Sequence, residues 1–182
     1  MEKEQKKEPS RLKKWMEKGL LTLLAGTALS IGGSSPMEDY VDVSTGQVGY
    51  SQGRKIKSDQ FGLCSALILD YGDNAIMAHA IPSSDSRIFE GFYLDMSGRY
   101  QMFTDNVVEK SVKELNKMNI PLSSVEAIVN SGEPKGLKEI TNKLNEYRIK
   151  IRKTSLESNG ECRERSVRYD PQGDTLKVVH TN

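Results

Sequence analysis

The chain has 182 residues, room for one domain with at most an appendage. Lys+Arg 26 against Asp+Glu 25 gives a net charge of +1, which disfavours a strongly basic nucleic-acid binder, so no nucleic acid is expected as a partner. With 2 cysteines and 2 histidines the composition excludes a disulfide scaffold and a cysteine-rich zinc module and leaves little material for a metal site, while 36% hydrophobic and 28% charged content fits a soluble α/β-type domain.

Residues 1–36 differ from the rest. From Met1 to Lys18 the chain is net basic with almost no apolar periodicity, and it cannot join a core. An apolar stretch follows from Gly19 to Gly33, ending in small residues before Pro36. As a helix it would be about 22 Å long, short of the roughly 30 Å hydrocarbon core of a bilayer. A basic stretch, a short apolar stretch and small residues have the order of a secretory signal, without a clean A-x-A cleavage site. Membrane association and an N-terminal helix docked on its own domain fit equally well, so the three readings stay open.

Residues 40–182 form the working domain. The aliphatic run Leu63–Leu69, bounded by Gly62 and by Asp70–Asn74, predicts a buried strand, and Ala75–Ile81, stopped by Pro82, predicts its antiparallel partner in a hairpin. The stretch from Ser83 to Phe103 reads as a long loop or a loop with one short turn of helix, whose aromatics pack over the sheet or form one wall of a groove, the first being favoured. Val108, Val112, Leu115 and Met118 then share one face of a helix that Thr104 or Asp105 would cap. Val125–Val129 is the next strand, and Pro134 opens a second helix with Leu137, Ile140, Leu144 and Tyr147 on one face. Ile149–Leu156 alternates as a half-buried strand. Ser166–Tyr169, the turn from Asp170 to Asp174, and Thr175–Val179 form a closing hairpin. Arg163, Arg165 and Arg168 read as a solvated face, Cys162 as a loop thiol and His180 as part of a disordered end.

The chemistry centres on Cys64 and His79. They lie on neighbouring antiparallel strands, where a thiol can pass its proton to an imidazole and become a nucleophile. The bland alternative is that both are packing residues, and spacing alone favours it. A lone serine in the KIKSDQ stretch, Ser58, reads as a turn residue.

A family resemblance shifts that balance. Gln60–Asp70 and Met77–Pro82 resemble the cysteine and histidine segments of CheD, the chemoreceptor glutamine deamidase family. Thr45–Ser51 resembles its opening strand, and Gly160–Pro171 with Gly173–Val178 resembles its Gly, Arg and Ser segment and closing hairpin. The resemblance implies an α/β (α+β) fold, a layered sandwich of mixed sheet with two main flanking helices. It also implies hydrolysis of a protein glutamine to glutamate with Cys64 as nucleophile, His79 as base, and Ser58 where the family carries a threonine. Backbone N–H groups of Leu63 to Ser65 would hold the oxyanion, and no metal or organic cofactor is needed. The implied partners are a chemoreceptor-like protein substrate and a regulatory chemotaxis protein of the CheC type. The implied location is the cytoplasm, with membrane association through the N-terminal segment or secretion if that segment is a cleaved signal. Two departures stand out, a shortened stretch at Asn130–Gly136 where the substrate groove would lie, and the N-terminal segment. The rival readings are a Cys/His amidohydrolase outside chemotaxis, since related folds occur in secreted deamidating toxins, and an inactive CheD-like binding module.

Overall fold

The computed structural model describes residues 39–83, 102–157 and 164–180. The chain divides into two units, Met1–Met37 and Glu38–Asn182, and every described residue belongs to the second. The N-terminal segment, Cys162, Arg163 and residues 84–101, on which the expected long loop falls, lie outside the described residues. No helix among the described residues is long and apolar enough to cross a membrane.

In chain order the elements are β1 Tyr40–Asp42, β2 Val48–Tyr50, β3 Lys55–Phe61, β4 Ser65–Asp70, β5 Ala75–Ala80, α1 Val107–Lys117, β6 Glu126–Ser131, α2 Pro134–Glu146, β7 Lys150–Leu156, β8 Arg165–Asp170 and β9 Thr175–His180. They form two mixed sheets, one of order β1-β3-β8-β9 and one of order β2-β5-β4-β6-β7. The α+β class expected from the sequence is therefore the one observed.

Three layers follow from how the strands alternate. One apolar cluster joins Ile56, Phe61, Val167 and Tyr169 of the first sheet to Ala66, Ile68, Met77 and Ile128 of the second. The other joins Leu67, Leu69, Ile76, Ala78 and Val129 to Val108, Val112, Leu115, Ile140 and Leu144 of the helices. The second sheet is thus covered on both faces, which is why β4 and β5 read as unbroken apolar runs. Their pairing is antiparallel in register, Leu67 opposite Ala78. The hairpin turns through Gly72 at φ 80°, a left-handed position that glycine takes without strain.

Three expectations are corrected. The residue capping α1 is Asn106, whose Oδ1 accepts from the Phe103 N–H at 3.0 Å, and not Thr104 or Asp105. Thr104 is buried and its hydroxyl donates to Glu139 of α2 at 2.5 Å. His180 closes β9, paired with Arg165 and 3.4 Å from Glu157, and is no part of a disordered end. The KIKSDQF stretch is not a turn: it is β3, a central strand of the first sheet.

Candidate active site

Strand pairing brings the sequence-chosen residues together. Ala66 lies opposite His79 in the β4–β5 ladder. Because alternate residues share a face, His79 points with Met77 into the space between the sheets, and half-buried Cys64, two positions before Ala66, packs on the same inter-sheet cluster.

Ser58 reaches this space from the first sheet. In β3, Ile56 and Ser58 point inward while Asp59 and Gln60 are exposed. Strict alternation would then turn Phe61 outward. Instead the register against β8 shifts between Ser58 and Phe61, with Gln60 at φ 63°, and this bulge returns Phe61 to the interior. Phe61 and Ser58 therefore both meet His79. The Phe61 ring stacks on the imidazole at 3.8 Å with 13° between planes, and Ser58 Oγ lies 2.9 Å from His79 Nδ1.

The Ser58 hydroxyl decides the histidine tautomer. It donates its one hydrogen to the Val43 carbonyl at 2.5 Å, so towards the imidazole it can only accept. Nδ1 must then carry the proton, which leaves the lone pair on Nε2. That nitrogen is buried without a hydrogen-bond partner, so in this structure it is not bonded to Cys64. Burial, reinforced by the charge of Arg165, pushes the His79 pKa down from 6.5 to about 3, and the ring is neutral at ordinary pH.

Arg165 is the residue the sequence reading missed. It is 1% exposed, where a solvated face was expected. Nε donates to Asn130 Oδ1 at 2.8 Å, Nη1 to Phe61 O at 3.0 Å and Gly62 O at 2.6 Å, and Nη2 to Cys64 O at 2.9 Å. Its guanidinium also lies 5.5 Å from the Phe61 ring centre. The alternation of β8 carries the signal, since Arg165 shares the inward face of Val167 and Tyr169. Arg163 and Arg168 nearby in sequence hid it, because arginine on a terminal strand is usually solvated.

Gly132 completes the support of the Cys64 turn. Its N–H donates to Cys64 O at 3.1 Å. A Cβ there would stand 2.1 Å from Gly62 O and 2.8 Å from Leu63 Cα, so only glycine allows this approach of β6 to the turn. Gly62 itself has an open surround. Asn130 and Gly132, the stretch read as a shortened groove, are thus part of the scaffold beneath Cys64. No group of three or more His, Cys, Asp or Glu among the described residues could hold a metal.

No protein-family model matches the chain, and no curated protein matches it. Among solved structures, the C-terminal domain of CNFy from Yersinia pseudotuberculosis is similar with a TM-score of 0.33 and 10% sequence identity, over 79% of this chain and 60% of that chain. The chain thus spans less than two-thirds of that domain's length.

Proposed function

We propose that the chain is a cysteine-dependent amidohydrolase converting a glutamine side chain of a protein to glutamate, with Cys64 as nucleophile, His79 as base and Ser58 as the residue that positions it. The observation that carries this reading is the relay from Val43 O through Ser58 to His79 Nδ1, which leaves a buried, unpartnered lone pair on Nε2 on the face that Cys64 shares. A packing histidine has no need of an unpartnered nitrogen.

The chemistry balances without a cofactor. Cys64 sulfur bonds to the carboxamide carbon as its proton passes to His79 Nε2. The C–N bond then breaks, the nitrogen takes that proton, and ammonia leaves a thioester. Water, deprotonated by the same Nε2, attacks the thioester carbon; the C–S bond breaks, and the thiol and glutamate are formed. The oxyanion of each adduct needs donors. The carbonyls of Phe61 and Gly62 are held by Arg165, and in a trans peptide the following N–H points the opposite way. The N–H groups of Gly62 and Leu63 are therefore directed away from Arg165 and fixed in place before substrate arrives.

The substrate class rests on the resemblance to CheD: a chemoreceptor-like protein, with a CheC-type regulator as the implied partner. The test is conversion of glutamine to glutamate in a chemoreceptor cytoplasmic fragment, read by peptide mass spectrometry. Wild type should convert the fragment, Cys64→Ser should not, and His79→Gln should be slower by about 100-fold or more. Conversion of an unfolded glutamine-rich protein but of no receptor fragment would move the activity outside chemotaxis. No conversion of either would leave a binding module, the reading favoured by the missing hydrogen bond between Cys64 and His79 Nε2.

A further inference from the structure

Arg165 carries a buried positive charge whose partners are all neutral. Its hydrogen bonds end on three main-chain carbonyls and one amide oxygen, and no ion pair joins it to a carboxylate among the described residues. The nearest acid along the network is Glu157, which accepts from Asn130 Nδ2 at 3.0 Å and so stands one amide away from the guanidinium. A buried charge without a contacting counter-ion is costly, and a protein keeps one where an anion completes it.

We infer that Arg165 is the counter-ion of a Cys64 thiolate, and hence a positioning residue for the reaction proposed above, on which this inference rests. Nη2 already holds the carbonyl of Cys64 itself, so the guanidinium is fixed beside the residue that ionises. Among the described charged and titratable groups, Arg165 from β8 and His79 from β5 pack near Cys64, with Glu157 beyond Asn130 at the end of β7 and His180 of β9 against Glu157. Among the cationic side chains of this set, arginine is the one whose charge does not depend on pH. A single cation here acts twice. It favours the thiolate, since Arg165 is attracted first to Glu157 and then to Cys64, and it disfavours an imidazolium at His79, where burial acts first.

The work is thereby divided. Arg165 sets the acidity of the thiol. Where the thiol is still protonated, its proton passes to His79 Nε2 during attack; where it has already ionised to water, Nε2 takes a proton back from water once the tetrahedral adduct forms, and in both cases Nε2 hands that proton to the leaving nitrogen. An imidazolium–thiolate pair of the kind the sequence suggested is not required.

The experiment is the pH dependence of iodoacetamide alkylation of the full chain, with Cys162→Ser as background and no substrate present. Arg165→Met should slow alkylation near pH 6.5 by about tenfold and move the midpoint upward, Arg165→Lys should do so by less, and His79→Gln should change the rate by less than about twofold. Glu157→Gln keeps the bond to Asn130 and removes the negative charge that offsets Arg165, so it should speed alkylation at the same pH. A profile that follows His79 and ignores both Arg165 and Glu157 would overturn the inference. If Arg165→Met does not fold, the opposite signs expected of Arg165→Lys and Glu157→Gln still decide it. Because no substrate is involved, the result is independent of whether glutamine is hydrolysed.

Discussion

The two ends of the space between the sheets each hold an arginine, and they are treated in opposite ways. At the end where β4 and β8 finish, Arg152 meets Asp70 at 3.0 Å, Asp174 at 2.8 Å and the Tyr169 hydroxyl at 2.9 Å. At the end where the same strands begin, Arg165 meets only neutral oxygens. Burial works against both charges. At Arg152 the bond to Tyr169 and the carboxylates outweigh it and hold the pKa up; at Arg165 burial prevails and the pKa is pushed down. A neutralised arginine is a structural clamp. One held buried by carbonyls orders a turn and leaves its charge available, and that turn carries the proposed nucleophile.

Breaking each clamp measures the difference. Arg165→Met should destabilise the fold by about 3 kcal/mol or more in urea denaturation, because Phe61 O, Gly62 O and Asn130 Oδ1 lose their buried donor. A loss below about 1 kcal/mol would mean that the turn does not depend on Arg165. The acid response of the same end comes next. His79 has its pKa depressed in the fold to about 3 from 6.5, so below pH 6.5 the unfolded chain binds a proton that the fold refuses. Its contribution is complete above that pH and is lost as pH falls towards 3. Wild type should lose about 2 kcal/mol more than His79→Gln between neutral pH and pH 5, and equal losses would show a histidine that titrates normally. Arg152→Met should cost the least, about 1 kcal/mol, since Asp70 keeps its 2.8 Å bond from the Tyr169 hydroxyl. A cost as large as that of Arg165→Met would erase the contrast between the two ends.

What the sequence disclosed follows the same physics. The β4–β5 hairpin is buried on both faces, so its apolar run was plain. The helices show through Val108, Val112, Leu115, Ile140 and Leu144, buried at helical spacing. β3 was missed because Lys55, Lys57, Asp59 and Gln60 face outward and a bulge interrupts its alternation, leaving two apolar residues as the signal. Cys64, His79 and Ser58 were legible through a family resemblance, and the strand pairing brings His79 and Ser58 into contact. The inward position of Arg165 could be read from the alternation of β8, but its bonds could not, because its partners are mostly main-chain carbonyls, and a main-chain acceptor leaves no mark on composition or spacing.

The most direct test of the account is the nitrogen NMR spectrum of the His79 imidazole between pH 7 and pH 4. Ser58 donating to Val43 requires a proton on Nδ1 and a lone pair on Nε2, with no titration across that range. A proton on Nε2, or a midpoint near 6.5, would contradict the relay and remove the base from the proposed reaction.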